Sequence, residues 1–466
     1  MYVWFHRRDL RTTDLTLFDT LAELNMPGLH VMVLDPKLLD ERRVREHSGR
    51  FFLKQVQRLM KQYQGHRQTL NVFYGAPDQV LLKLASCHPL AKVAYHQDVT
   101  PYAKQRDRLL QDTAQACGLE VVTAMDHMLI DADVLDHAAN REQPYKVFTP
   151  FYNKWKQVMA QFAEPPRRTA LSELKTIAAA LEVTEAFRLP SWLEDVLYST
   201  SNADSAFSQE EPLERLNIFL TEKLPDYEQG RDRYNWSHTS EMSGFFNTGT
   251  ISIRQGYDLA TQLGDRHHVE SWLRQLAWRD FYLYQALRNP DYFSYEQQFN
   301  WTSFDDSAFI RWSEADTGIP IIDAAMTELN MTGRMPNRLR MVTAMFLTKQ
   351  LLCPFMHGEA YFRDKLADYD HVLNRGGWLW SSSLGYDAAP YFRVMNPVRQ
   401  SETYDPSGAY IRRWLPKLAH LSDKAIHKPQ GHAIVDLKQA RLRAIEQYRM
   451  LLQQRKQFNE SKGIEE

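Results

Sequence analysis

The run Tyr2-Val-Trp-Phe5, followed at once by His-Arg-Arg-Asp-Leu-Arg11, opens the chain with four β-favouring apolar residues and no polar alternation. A short continuous run of this kind suits a buried strand. Four more lie at His30–Asp35, Asn71–Tyr74, Lys92–His96 and Glu120–Ala124. Amphipathic stretches long enough for helices, such as Phe51–Tyr63 and Tyr102–Cys117, separate them. Strand and helix in alternation predict a parallel α/β sheet over the first 125 residues. A dinucleotide fold would carry G-x-G-x-x-G after a strand, and a phosphate loop G-x-x-x-x-G-K-[ST]. Neither occurs, so the sheet is not expected to hold a nucleotide in those ways.

Beyond about Tyr145 the strand signals thin out, and strong helices are predicted at Val269–Arg288, Pro320–Leu329, Pro336–Leu352 and Asp436–Phe458. Ser199–Pro212, rich in Ser, Asp and Glu, reads as a surface loop or linker. The expected organisation is a Rossmann-like α/β domain over 1–130, a connector over 131–215 and a larger all-α domain over 216–466.

Composition narrows the class. Of 466 residues, 24% are charged and 44% hydrophobic, the inventory of a soluble globular protein. Cys87, Cys117 and Cys353 are too scattered for a disulfide framework and too few for a cysteine-only metal site, which fits a reducing cytoplasm. No apolar run reaches the roughly 18 residues of a membrane span. The nearest, Met341–Met356, is broken by Lys349. The first residues lack the apolar segment of a secretory signal. The net charge of −2 conceals an asymmetry. Residues 182–228 hold eleven acidic against three basic side chains, whereas 391–456 hold thirteen basic against five acidic. A basic region in a neutral chain is the footprint of a phosphate-backbone partner. A solvated charged helix is the alternative for Asp436–Phe458.

Four segments carry candidate chemistry. Thr239-Ser-Glu-Met-Ser243 sets three hydroxyls beside a helix start, where they either cap the helix or bind phosphate. Trp272, Gln275 and Trp278 share one helical stripe, and a buried amide between two indoles needs partners. In Thr332-Gly-Arg-Met-Pro-Asn-Arg-Leu-Arg-Met341, Pro336 suits a first helical turn. Asn337, Arg340 and Met341 then share a face while Arg338 points elsewhere. Asp368-Tyr-Asp-His-Val-Leu-Asn-Arg-Gly-Gly-Trp-Leu-Trp380 gathers two carboxylates, an amide and two tryptophans. A metal on Asp368 and Asp370 lacks an obvious third ligand, and an Arg340–Asp368 ion pair fits equally. No metal site is expected.

These segments resemble the DNA photolyase/cryptochrome family, and within it the microbial class I photolyases of cyclobutane pyrimidine dimers. The resemblance rests on Trp278-Arg-Asp-Phe, Thr317-Gly-Ile-Pro-Ile-Ile-Asp-Ala-Ala-Met326, Asn337-Arg-Leu-Arg-Met341, Asn374-Arg-Gly-Gly-Trp-Leu-Trp380 and Asp387-Ala-Ala-Pro-Tyr-Phe-Arg393. Val3-Trp-Phe-His-Arg-Arg-Asp-Leu-Arg11 and Tyr145-Lys-Val-Phe-Thr-Pro-Phe151 agree, so it spans essentially the whole chain. It implies an N-terminal antenna domain and a helical FAD-binding domain. Tyr227, Thr239, Ser240, Met242 and Ser243 would hold the FAD phosphates and ribose. Trp272, Gln275, Arg340, Asp368, Asp370 and Asn374 would surround the flavin. Trp278 and Trp380 would wall the flipped dimer, Asn337 and Met341 would floor it, and Gln275 would reach it. Arg231, Arg338 and Arg393 would meet phosphates of UV-damaged DNA. Trp378 and Trp301 would be the inner and outer members of an electron-transfer chain. The implied reaction is light-driven electron donation from reduced FAD to the dimer; the expected protein is a monomer without membrane attachment.

Three departures stand against the family pattern. Gln275 replaces the Glu typical of cyclobutane-dimer enzymes, while the histidine that six–four photolyases need is absent at Asn337. Arg334 and Pro336 replace Trp and His. Phe355 occupies the middle of the electron chain, so slow photoreduction or a detour through another aromatic such as Tyr361 is expected. Together they favour the alternative, a cryptochrome-like blue-light photoreceptor with little or no repair activity; the absence of a long tail after the basic helix speaks against it. An antenna chromophore, where present, is expected to be of deazaflavin or flavin type rather than folate, from Asp98-Val-Thr-Pro-Tyr-Ala-Lys-Gln-Arg-Asp107.

Overall fold

The computed structural model describes residues 1–198, 211–235, 238–263, 268–299, 301 and 304–462. Most of the linker expected at Ser199–Pro212, its residues 199–210, lies outside the described residues. Five strands, β1 (Tyr2–His6), β2 (Gly28–Leu34), β3 (Asn71–Tyr74), β4 (Lys92–Gln97) and β5 (Glu120–Met125), form one sheet in the order β3-β2-β1-β4-β5. Every pair is parallel, with Tyr2 opposite Gly28 and Lys92.

The sequence of β1 explains its central place. Tyr2 and Trp4 enter the core on one face, with Leu53, Val56 and Leu59 of the helix His47–Gly65. Val3 and Phe5 enter the core on the other, with Val80, Leu81, Leu84 and Leu110 of the helices Pro77–Cys87 and Pro101–Ala116. A strand covered on both faces needs apolar residues at every position, and that is what this run supplies. The chain winds one way from β1 to β3 and the other way through β4, so β1 and β4 flank a topological switch point.

By their internal contacts the residues form two compact units. The first comprises residues 1–143, 152–224 and 240–287, and so adds the helix Ile253–Leu263 and most of Val269–Arg288 to the sheet. A buried ionic cluster fixes them there. Arg11 Nη2 donates to Asp126 Oδ2 at 2.5 Å, Arg254 Nη2 to Asp126 Oδ1 at 2.8 Å, and Arg254 Nε to Asp14 Oδ1 at 3.1 Å. Two arginines and two aspartates balance, all buried.

The second unit, residues 144–151, 225–239 and 288–466, is helical among its described residues. The helix expected at Pro336–Leu352 differs in detail. Pro336 is its N-cap, with φ −54° and ψ 139°, and the first helical residue is Asn337. The α-helix Asn337–Met345 then widens into a π-helical turn over Phe346–Gln350. Among the described residues no helix is long and apolar enough to cross a membrane.

Candidate functional site

The predicted site residues divide between the two units. In the first, helix Val269–Arg288 carries the Trp272, Gln275, Trp278 stripe. Trp272 is buried against Phe219 and Phe246, with ring centroids 5.7 and 6.5 Å away. Trp278 is half-buried, with Phe281 edge-on at 5.6 Å and Tyr282 at 5.7 Å. Gln275 Nε2 donates to the Ser271 carbonyl at 3.1 Å.

This helix is pinned just beyond Trp278. The Asp280 carboxylate accepts the Leu129 N–H at 3.1 Å and the Trp155 indole N–H at 3.0 Å. Tyr284 donates to Asp136 at 2.6 Å. Burial pushes the Asp280 carboxyl up to about 6. A carboxyl raised in the fold binds its proton more tightly there than in the unfolded chain, so its contribution is complete below about pH 4 and lost as pH rises through about 6. Comparative denaturation of wild type and Asp280→Asn between pH 4 and 7 should therefore show the wild type losing stability relative to the variant as pH rises. A constant difference would refute the assignment.

Ser240, Met242 and Ser243 also belong to the first unit. The helix Ser243–Thr248 has Met242 as its N-cap, with no side-chain capping bond. Thr239 and Ser243 are exposed, and Tyr227 of the second unit is buried.

In the second unit the helices Asn337–Met345 and His371–Ser381 carry or flank four of the predicted residues, two of which are in contact. Arg340 Nη2 lies 3.0 Å from both carboxylate oxygens of Asp368, and its Nε donates to the Met335 carbonyl at 2.9 Å. The Asp368 side chain is only 8% exposed, so the pair is partly desolvated. Asp370 caps the second helix, accepting the Leu373 N–H at 3.0 Å. Asn374 donates to the Glu359 carbonyl at 3.1 Å. One turn on, Trp378 is buried; Trp380, two residues further, is half-buried. Among the described residues no group of three His, Cys, Asp or Glu is placed to hold a metal.

Two of the predicted cations have partners within the second unit. Arg338 donates to Asp232 at 2.5 Å and covers the Tyr404 ring at 4.2 Å. Arg231 lies 5.5 Å from the Tyr227 ring centroid. Arg393 is exposed, as is Asn337, whose amide approaches the Met341 sulfur at 4.0 Å. Trp301 is half-buried and touches Phe355 at 5.8 Å.

Two features escaped sequence reasoning. Lys349, visible only as the charge breaking an apolar run, is fully buried. Its ammonium donates to the Ser383 hydroxyl and, at 2.8 Å, to the Arg393 carbonyl, while Gln350 donates to the Met395 carbonyl at 3.3 Å. Two adjacent side chains thus tie down the segment bearing Arg393. Burial, then the Arg393 charge, lowers the Lys349 ammonium to about 7.

The second lies at the switch point of the sheet. Asp9 bonds His6 at 3.1 Å and His96 at 2.7 Å, His6 meets Tyr63 at 2.7 Å, and Tyr63 meets His30 at 2.6 Å. Burial opposes the Asp9 charge, but the two imidazoles hold its carboxyl well below the usual range. Beside it Arg7 pairs with Asp107 at 2.8 Å and Arg8 with Asp98 at 3.3 Å. Arg7 Nη2, His96 Nε2 and Arg106 Nη2 are buried with no hydrogen-bond partner among the described residues. In sequence Val3–Arg11 and Asp98–Asp107 stand out as segments, but nothing local joins them to His30, Tyr63 or His96.

Known proteins share the sequence family and the fold. The family model for DNA photolyase matches residues 1–170, and that for the FAD binding domain of DNA photolyase matches residues 272–461. Deoxyribodipyrimidine photo-lyase of Alkalihalophilus pseudofirmus is 34% identical over 442 residues, covering 92% of this chain and 89% of that protein. Among solved structures, the archaeal photolyase of Sulfolobus tokodaii, crystallised with two FAD molecules, superposes with a TM-score of 0.81 at 27% identity, covering 96% of this chain and 99% of that one. Synechocystis cryptochrome shares the fold, with a TM-score of 0.84 at 24% identity, covering 97% and 99%.

Proposed function

The chain belongs to the DNA photolyase family, and we propose that it repairs cyclobutane pyrimidine dimers in DNA, with light as the energy source. The observation that carries this reading is the Arg340–Asp368 pair, just ahead of the helix His371–Ser381 that carries Asn374 and, at its far end, Trp380. A fixed cation, a fixed anion and an amide suit the polar edge of a flavin, and the hydroxyls flanking Met242 suit its phosphates. FAD, when bound, supplies the photochemistry, an electron lent to the dimer and recovered after the ring opens.

The remaining work falls to side chains. Tyr227, Thr239, Ser240, Met242 and Ser243 would hold the phosphate and ribose end, and Trp272, Gln275, Arg340, Asp368, Asp370 and Asn374 the flavin end. Trp278 and Trp380 offer aromatic faces to bases turned out of the duplex, at an unstacking cost of a few kcal/mol. Asn337 and Met341 form the floor. Arg231, Arg338 and Arg393 position the phosphate backbone without reading sequence. Ring splitting requires no general acid or base. The working domain organisation is 1–130, 131–215 and 216–466, acting as a cytoplasmic monomer.

A flavin-type antenna at the sheet switch point is part of the proposal. Three buried polar atoms without a partner among the described residues fit a polar heteroaromatic ligand there, and the Sulfolobus tokodaii photolyase was solved with two FAD molecules. The competing photoreceptor reading is favoured by Gln275, Arg334 and Phe355. The two separate in cells: expression in a repair-deficient bacterium should raise survival after ultraviolet exposure only under subsequent blue light. Equal survival in light and dark would refute repair.

A further inference from the structure

Phe355 stands where the family's electron chain has tryptophan, and its surroundings oppose a substitute role. It is fully buried, and the Arg375 guanidinium lies 4.9 Å from its ring centroid. A phenyl ring is far harder to oxidise than an indole, and a neighbouring cation disfavours positive charge on it further. Trp301 meets this ring and Phe299 and donates its indole N–H to the Glu296 carbonyl at 2.9 Å.

Trp378 makes its contacts elsewhere. It rests on the backbone of the helix Phe355–Lys365, where a Cβ on Gly358 would stand 2.0 Å from its Cη2. Its ring lies 6.3 Å from that of Trp312, at 74°, and both touch Phe362. Trp312 is fully buried and donates its indole N–H to the Thr343 carbonyl at 3.2 Å, a bond that favours positive charge on the ring. Tyr361 follows at 5.5 Å and is half-buried. Its hydroxyl lies 2.6 Å from Asn330 Oδ1 and 2.8 Å from the Ser313 carbonyl. Asn330 Nδ2 itself donates to that carbonyl at 2.8 Å, which turns its oxygen towards the phenol. The Lys365 ammonium, 5.9 Å from the Tyr361 ring, favours loss of the phenolic proton over a charged ring.

We propose that Trp378 is re-reduced by Tyr361 through the buried Trp312, in place of a route through residue 355. This rests on reading the chain as a photolyase-type flavoprotein. Under blue light Trp378 gives one electron to the oxidised cofactor, Trp312 gives one to Trp378, and Tyr361 gives one to Trp312. Tyr361 releases its hydroxyl proton to water and is left as a neutral radical. A thiol in solution returns a hydrogen atom to it, and two resulting thiyl radicals couple to a disulfide.

The test is transient absorption and electron paramagnetic resonance on the purified holoprotein, oxidised and illuminated, with and without ring-deuterated tyrosine. The wild type should give a tyrosyl radical whose spectrum narrows on deuteration, and added thiol should remove it. Tyr361→Phe should lose the tyrosyl signal, and Trp312→Phe should lose it while a short-lived tryptophan radical remains. A tyrosyl signal that survives either change overturns the route, as does a radical abolished by Trp301→Phe alone. Should Trp378→Phe leave the Tyr361 radical unchanged, the flavin-site assignment itself falls; loss of the radical in Trp378→Phe supports both.

Discussion

Asp126→Ala should destabilise the protein by about 3–5 kcal/mol, the cost of breaking a buried ion pair by removing one partner. Asp126 accepts from both Arg11 and Arg254 and also from the Thr16 hydroxyl at 2.6 Å. Burial opposes its charge, yet the adjacent guanidiniums hold its carboxyl far below the usual range. Removing it leaves two buried guanidiniums facing Asp14 alone. The loss acts on the attachment of helix Ile253–Leu263 to the sheet, so it should appear as early unfolding of the first unit. Denaturant titration followed by tryptophan fluorescence measures it. A loss of about 1 kcal/mol or less, the worth of a surface pair, would contradict the cluster's role.

Trp278→Ala and Arg393→Ala should weaken DNA binding in different ways. The Trp278 face is half-exposed and backed by Phe281 and Tyr282, a rigid platform for a base outside the stack. Stacking on an aromatic side chain contributes roughly 1–3 kcal/mol per base. Affinity for dimer-containing DNA should fall about five- to 150-fold, with affinity for undamaged DNA unchanged. Arg393 is exposed on a segment held by Lys349 and Gln350. Its loss should weaken both DNAs alike and reduce the salt dependence by about one ion. Binding titrations at several salt concentrations decide the matter, and equal losses from both variants would refute the division of roles.

Much of the α/β unit was legible because β1 is buried on both faces, which makes Tyr2-Val-Trp-Phe5 apolar throughout. The five strands end within two residues of the expected ends; register and the last residue depend on pairing partners that no local window contains. Helix His47–Gly65 begins four residues before the apolar pattern does, since its N-cap Glu46 makes no capping bond to mark the start. Arg340 and Asp368 were legible as a pair because their residue types leave few alternatives. Trp312 and Lys349 were not: one indole in Ile-Arg-Trp-Ser and one ammonium in an apolar run carry no periodic signal, and only tertiary packing gives them neighbours. The buried atoms of Arg7, His96 and Arg106 that lack a partner among the described residues come from two strand ends and a helix, far apart in sequence.

The reduced, flavin-loaded protein should split pyrimidine dimers in the light. The direct measurement is chromatographic counting of dimers in a defined oligonucleotide after blue light, with a dark control and chemically reduced protein. Dimers should disappear in the light over many turnovers and persist in the dark. Persistence of dimers in the light, with reduced FAD bound and DNA in excess, would contradict the repair assignment and leave the photoreceptor reading.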